Sequence, residues 1–554
     1  MHKTLSRRKP LRLWGWGYTD ENLSDDETAL IGELASGMGA KIGSMAAPSV
    51  ESLELPPPRL DSPSTLAGIL STSTYDRASH SYGKSFPDML RALMGDYGKA
   101  PDLVAFPRNE DNLQDLIEFA ERTGAALIPF GGGTSVCGGV EPDVGNDYNG
   151  TISVDLQFLG KVLEVDSESR AALIEGGALG PELEAALKPQ GLTLRHFPQS
   201  FQFSTLGGWI ATRAGGHFAT NYTHIDDLVE SVRMLTPSGV MESRRLPGSG
   251  AGPSPDRLML GSEGTLGFIT RAWVRLQARP QYRASASVRF PDMPSACHAV
   301  REISQSGLFP SNCRLLDPLE AQINGIGNGS TAVLVLAFES ADHPVGGWMQ
   351  RALEITADHL GSTESQGGSG SQREGAAGEW RNAFLRSPYF RNLLTPAGII
   401  ADTFETAITW DRFDALYQGV SERLREAMRQ ATGREGMISC RFTHVYPDGP
   451  APYFTVYALG SDQGDGEAML DRWCQIKLAA NQAVTDFGGT VTHHHAVGRD
   501  HRHTGYDNQV PPLFAEALRG VRERLDPQGV MNPGVLVSTS RASEPSGVLR
   551  DQGA

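Results

Sequence analysis

Three short glycine-rich segments constrain this chain more than any other feature. The first, Pro129-Phe130-Gly131-Gly132-Gly133-Thr134-Ser135, follows a strand candidate at Leu127–Phe130. The second runs from Ser204-Thr205-Leu206-Gly207-Gly208 to Thr212-Arg213-Ala214-Gly215, and the third is Gly261-Ser262-Glu263-Gly264-Thr265-Leu266-Gly267-Phe268-Ile269. Glycine tolerates positive φ and lets backbone N–H groups close on an anion, while threonine and serine hydroxyls add donors. One such loop is an ordinary tight turn more often than a ligand cradle. Three within one region imply backbone wrapped around a long, anionic, largely buried cofactor. None is a Walker A loop ending in Gly-Lys-Ser/Thr, and none is a GxGxxG fingerprint with a downstream ribose acid.

A chain of 554 residues exceeds what one core usually organises. The reading divides it into an N-terminal helical segment (1–97), a cofactor domain (98–280), a second α/β domain (281–490), a C-terminal segment (491–540) and a tail (541–554). Asp25–Met38 and Ser81–Leu93 read as helices. A strand at Leu103–Phe106 precedes a helix over Asp111–Thr123, with Leu113, Leu116, Ile117 and Ala120 on one face and Gly124 as its stop. Further strands are expected at Thr151–Asp155, Ala171–Ile174 and Thr331–Glu339, and helices at Gly180–Gly191, Asp411–Ala431 and Leu513–Leu525. This alternation gives an α+β fold. Gly361–Gly378 reads as a mobile loop and the region beyond Ser538 as disordered.

The net charge of −16 excludes nucleic acid as a partner, since phosphate neutralisation needs a basic surface. The five cysteines are widely spaced with no CxxC pair, so neither a disulfide framework nor a zinc knuckle is expected. No signal peptide and no run of roughly 20 apolar residues is present. A cytoplasmic protein is the expectation.

Taken in order, the three loops and the ending Asp526-Pro527 to Met531-Asn532-Pro533-Gly534 resemble the FAD-binding domain of the vanillyl-alcohol oxidase and p-cresol methylhydroxylase superfamily. The resemblance implies a two-part FAD-binding domain with an α/β cap over the substrate. It implies that Pro129, Phe130, Gly131, Gly132, Gly133, Thr134 and Ser135 cradle the pyrophosphate. Gln199, Ser200, Ser204, Thr205, Gly208, Thr212, Arg213, Ala214 and Gly215 would flank the flavin. Glu263, Gly264, Thr265, Gly267 and Ile269 would lie along the dinucleotide.

Thr492-His493-His494-His495-Ala496 is the most unusual stretch in the chain. On a strand, His493 and His495 would share one face and His494 the other. Adjacent residues seldom converge on one ion and no carboxylate flanks the run; only His501 and His503 are at hand to complete a set, so no metal is expected. A role in moving protons or binding an anion beside the flavin is favoured. FAD-linked D-2-hydroxyacid dehydrogenases have Glu-His-Gly here, with glutamate at position 494. Three histidines instead resemble the alkyldihydroxyacetonephosphate synthase family.

Trp14-Gly15-Trp16-Gly17-Tyr18, Asn312–Asp317, Phe404-Glu405-Thr406 with Trp410-Asp411-Arg412, and Cys440-Arg441 with Tyr453-Phe454 follow that family's order, over residues 12–536. The resemblance implies that Tyr453 and His494 are catalytic, with His493 and His495 in support, and that Arg391 and Arg314 bind substrate. A guanidinium holds a phosphate through paired, fixed donors. The implied reaction exchanges the acyl group of acyl-dihydroxyacetone phosphate for a fatty alcohol without net redox, on noncovalent FAD; a homodimer and peripheral membrane contact are separate expectations. Ala496 stands where the family has glycine, Phe201-Gln202 where it has Leu-Glu, and the chain ends without a Ser-Lys-Leu type tripeptide. A FAD-dependent oxidase or dehydrogenase of a 2-hydroxy acid or alcohol is the alternative, and an inactive flavoprotein scaffold a third.

Overall fold

The computed structural model describes residues 5–41, 43, 45–367 and 386–537. Hydrophobic period decides the layers. Leu103–Ala105, Thr151–Asp155 and Ala126–Phe130 are buried on both faces and pair in parallel, with the short strand Leu70–Ser71 added antiparallel at the edge. The helix Glu110–Thr123 crosses between two of these strands. Asn109 caps it by accepting from Asn112 N, and Gly124 ends it at φ +70°. A second, antiparallel sheet runs in the order Val162–Asp166, Ala171–Glu175, Phe268–Arg275, Val229–Thr236, Gly239–Glu242.

The third sheet has seven antiparallel strands: Ser362–Gly367, Tyr282–Phe290, Ala332–Ser340, Asn312–Leu316, Met437–Val445, Pro450–Leu459 and Ile399–Glu405, in that spatial order. One face packs on helices that include Met293–Gln305, Gly346–Asp358, Trp410–Thr432 and Gly466–Asp486, forming the largest core. Along Pro450–Leu459, Phe454, Val456 and Ala458 enter that core. Tyr453, Thr455 and Tyr457 therefore point the other way, into a cavity. The same alternation along Met437–Val445 buries Cys440 and Phe442 and turns Arg441 and Thr443 to the cavity.

The chain's end returns to the first sheet. Leu127 N donates to Val530 O and Asn532 N to Leu127 O, while Asp526 accepts from Val530 N and Met531 N. Trp16 also joins distant parts: its N–H and C=O bracket the Asn392 side chain on helical residues 386–394.

Two expectations change. The helix foreseen over Ser81–Leu93 starts five residues later, as Phe86–Met94. Ser85 and Asp88 form the capping box that starts it, and the non-helical stretch before it lets Gly83 lie against Ser135, where a Cβ would stand 2.5 Å from Ser135 O. Within Gly361–Gly378, Ser362–Gly367 is not a loop but an edge strand paired to Tyr282–Phe290. A polar strand is tolerated there because an edge needs no second neighbour. The rest of that loop and the tail beyond Ser538 lie outside the described residues.

Candidate active site

The glycine loop lies between two cavities. The larger, of about 250 Å³, is lined by Gly131–Ser135, by Gln199, Ser200, Ser204, Thr205, Gly208, Thr212, Ala214 and Gly215, and by the inner face of the seven-stranded sheet. The smaller, of about 100 Å³, adds Pro129, Phe130, Glu263, Gly264, Gly267 and Ile269. Gly131, Ser135, Thr205, Gly208 and Thr212 line both. The cradle is built for absent side chains: a Cβ on Gly131 would stand 2.5 Å from Thr205 Oγ1, and one on Gly132 would stand 1.7 Å from Phe203 O. Close backbone and a row of hydroxyls along an extended hollow fit a dinucleotide.

Two of the cofactor residues read from the sequence line neither cavity. Arg213 ends the helix Leu206–Thr212 at φ +51° and turns out to pair with Asp226 at 2.8 Å, because Thr212 rather than Arg213 lies on the helix face toward the cradle. Thr265 is buried and its hydroxyl donates to Ser262 O, holding the turn rather than a ligand. Glu263 accepts from Val497 N and Gly498 N, so it splices the third glycine segment to the C-terminal segment. Burial raises its carboxyl to about 7 despite those two bonds.

The larger cavity also gathers Arg314, Arg391, Arg441, Tyr453, His494 and His495, from five separate stretches of chain. Arg391 donates to Lys84 O at 3.3 Å and lies 3.6 Å from Asp402. Arg314 is 2% exposed, and burial, then the neighbouring Arg441, lowers its guanidinium to about 9. Arg441 pairs with buried Glu320 at 2.5 Å and sets its guanidinium 3.9 Å over the Tyr453 ring. The Tyr453 ring stacks 6.1 Å from His494 and meets His495 edge-on at 5.3 Å.

The histidine run is not a strand. Its successive N–H groups bend around one carboxylate: Glu405 accepts from His493 N at 2.6 Å, His494 N at 3.0 Å, His495 N at 2.8 Å and Thr492 Oγ1 at 2.6 Å. This overrides the alternation expected of extended backbone. His494 and His495 both line the cavity, and His493 turns away to meet Tyr446 and His224. Burial alone would raise the Glu405 carboxyl, but His494, His495, His493 and Thr492 together hold it well below the usual carboxylate range. Ala496 completes the bend at φ +72°, a left-handed geometry that glycine takes without strain.

His501 and His503 do not join the run: His501 Nδ1 bonds Ala496 O at 2.8 Å, and His503 faces Asp507 at 3.5 Å. His444 does, with a ring nitrogen within 4.8 Å of those of His493 and His494. Their nitrogens are engaged by Gly216 O, by Tyr446 and by one another.

Burial lowers His494 to about 3 and His495 to about 4. A lowered imidazole keeps its proton-accepting form as pH falls through its ordinary value of about 6.5. We therefore expect kcat to show no acid limb near pH 6.5; a limb there would mean that the working histidine titrates as if exposed.

Comparison with known proteins sets the class first. Residues 101–243 match the family model "FAD binding domain", and residues 279–536 match "FAD linked oxidases, C-terminal domain". The fold is shared with p-cresol methylhydroxylase (TM-score 0.64, 14% identity, covering 85% of this chain and 94% of that one). This is an FAD-linked enzyme with the fold of p-cresol methylhydroxylase, and its cofactor is FAD. The alkyldihydroxyacetonephosphate synthase of Dictyostelium discoideum is 31% identical over 497 residues, 84% of this chain and 77% of its own. A solved alkyldihydroxyacetonephosphate synthase superposes with a TM-score of 0.79 at 25% identity, covering 94% and 98% of the two chains. The chain belongs to the alkyldihydroxyacetonephosphate synthase family.

Glu405, Arg441, Glu320 and Tyr446 were not singled out as site residues by the sequence. The signal for two of them was their place in the motifs Phe404-Glu405-Thr406 and Cys440-Arg441, which carried the family resemblance without a role for either residue. Among the described residues no helix is long and apolar enough to cross a membrane.

Proposed function

We propose that this enzyme exchanges the acyl group of an acyl-dihydroxyacetone phosphate for a fatty alcohol, forming an ether bond with no net redox change. What carries the reading is one cavity in which arginines, a tyrosine and two neutral histidines face the flavin cradle. FAD, bound noncovalently, would be held by the glycine segments and would supply a reactive isoalloxazine ring. Arg391 and Arg314 hold the phosphate; Arg391 is steadied by Asp402 and loses little entropy when it closes on the anion. Tyr453 and His494 move the proton at the substrate carbon, and the Arg441 guanidinium packs 3.9 Å over the phenol ring and holds it in place. Phe390, Leu394, Ile323 and Trp16 line the apolar side, where the chains of the acyl donor and alcohol fit.

The division into an N-terminal segment, FAD domain (98–280), cap (281–490) and closing C-terminal segment belongs to the same proposal. So do a cytoplasmic homodimer with peripheral membrane contact and no affinity for nucleic acid. The test is purified holoenzyme mixed anaerobically with palmitoyl-dihydroxyacetone phosphate and hexadecanol. Release of palmitate that depends on hexadecanol supports the reading. Flavin bleaching by a 2-hydroxy acid, with no palmitate released, would replace it with a dehydrogenase. Within this reading Tyr453→Phe should lower kcat by about 10²-fold or more with flavin content unchanged, followed by palmitate release. Full activity would take Tyr453 out of the chemistry.

A further inference from the structure

A file of hydrogen-bonded groups leads away from the cavity through His493, which itself does not line it. His494 Nδ1 and His493 Nδ1 are 3.0 Å apart. His493 Nε2 is 2.7 Å from the Tyr446 hydroxyl, Tyr446 is 3.1 Å from Thr223 Oγ1, and Thr223 Oγ1 is 3.2 Å from His224 Nδ1. His224 Nε2 is 2.9 Å from His493 O. Tyr446, Thr223 and His224 line a separate surface groove with Arg213, Asp227 and Arg257.

One carbonyl fixes the direction of the whole file. A carbonyl can only accept, so His224 carries its proton on Nε2 and presents a bare Nδ1. Thr223 then donates to His224 and accepts from Tyr446. Tyr446, having spent its hydrogen on Thr223, accepts from His493 Nε2–H. His493 is left with a bare Nδ1, which accepts from His494 Nδ1–H. His494 is therefore left with an unprotonated Nε2, the form a base needs. Glu405, 3.5 Å from His494 Nδ1, favours a proton on that same atom.

We propose that His494, His493, Tyr446, Thr223 and His224 form a proton relay joining the reaction cavity to the surface groove, with Tyr446 as its indispensable link. A proton taken at His494 Nε2 releases the one on Nδ1 to His493 Nδ1. His493 passes its Nε2 proton to Tyr446, Tyr446 passes its hydroxyl proton to Thr223, and Thr223 passes its own to His224 Nδ1, from which a proton leaves to the groove. One proton enters, one leaves, and no electron moves; reversal returns each group to its starting form. The relay rests on the proposed function only in that a substrate proton reaches His494, and either an ether-forming or a dehydrogenating reaction provides one.

The test uses holoenzyme and whichever of palmitoyl-dihydroxyacetone phosphate with hexadecanol, or a 2-hydroxy acid, the wild type turns over. Absence of the first activity sinks the proposed function alone. Tyr446→Phe keeps the ring and cuts the file. It should lower kcat about 10-fold to 100-fold, leave KM and flavin content near wild type, and raise the solvent deuterium isotope effect on kcat. Tyr446→Ala opens a gap on the groove side, and millimolar imidazole should restore its kcat several-fold while doing nothing for Tyr446→Phe. Wild-type kcat and isotope effect in Tyr446→Phe would overturn the relay. So would a loss of activity in both variants with an unchanged isotope effect and no imidazole rescue, which marks mere packing. Should neither substrate turn over, ¹⁵N-histidine spectra decide: Tyr446→Phe should shift the tautomer signals of both His493 and His494, and a shift confined to His493 would overturn the proposal.

Discussion

The Gly132→Ala variant is expected to purify without flavin. A Cβ at this position would stand 1.7 Å from the carbonyl oxygen of Phe203 and 2.8 Å from its carbon. Those atoms are backbone, not the movable end of a side chain, and they belong to the segment that runs through Thr205 into the helix Leu206–Thr212. Thr205 caps that helix by accepting from Gly208 N, so the segment cannot retreat without losing its cap. The glycine loop and the second glycine segment must then move apart by an ångström or more, and the cradle loses its form. Overpacking of this kind costs about 1–3 kcal/mol even where neighbours can yield. Applied to binding, the upper end is already about a hundredfold in affinity. Visible flavin absorbance per protein chain, and titration of the apoprotein with FAD, read the effect. Gly433→Ala is the control: it also carries positive φ, at +71°, but has nothing within 4 Å, so it should cost some stability and no flavin. Full flavin content in Gly132→Ala would mean that the cofactor does not depend on this contact.

Glu405→Gln should be the most damaging single change on the protein side of the site. The carboxylate is 1% exposed and takes four hydrogen bonds from four successive residues, Thr492 to His495, three of them from consecutive backbone N–H groups. An amide offers one oxygen and turns an NH₂ toward donors that already point inward. At least one buried N–H then loses its partner, at about 1–3 kcal/mol, and the charge that faced His494 and His495 is gone. The expected result is a loss of about 3 kcal/mol in stability and at least about 10²-fold in kcat, with flavin retained because the glycine loops hold it independently. Denaturant unfolding and turnover measured on the same preparation check both. Near-normal kcat in Glu405→Gln would show that the bend of the histidine run is set by its flanks instead.

These two residues mark what could and could not be seen in the linear chain. Gly132 was legible because a glycine triplet after a strand has few structural uses, and two further small-residue segments at the right order reduced them to one. Glu405 was not, because its partners are nearly ninety residues away and a single acid at a strand's end has many uses. The histidine run shows the same limit from the other side. Its residues drew attention at once, yet the strand alternation assigned to it placed His493 with His495. Hydrogen bonds to Glu405 outweigh that local preference, and the pair that shares the cavity is His494 with His495. The helix expected at Ser81–Leu93 holds from Phe86 onward and loses its first residues for a related reason. Contact between Gly83 and Ser135 is a tertiary demand that local periodicity does not contain.

The sequence by itself determined the α+β class, a minority of the helices and strands, FAD as the cofactor and the family, since each depends on short-range spacing or on the order of motifs. Only the tertiary structure decided which faces the long strands show. It set Tyr453 beneath Arg441, and it turned Arg213 outward to Asp226. It also sent His493 toward Tyr446 and a surface groove, making a fixed file of donors and acceptors from residues scattered between 223 and 494. The physical reason is that a buried hydrogen bond must find a partner wherever the fold brings one, and sequence distance does not enter that requirement.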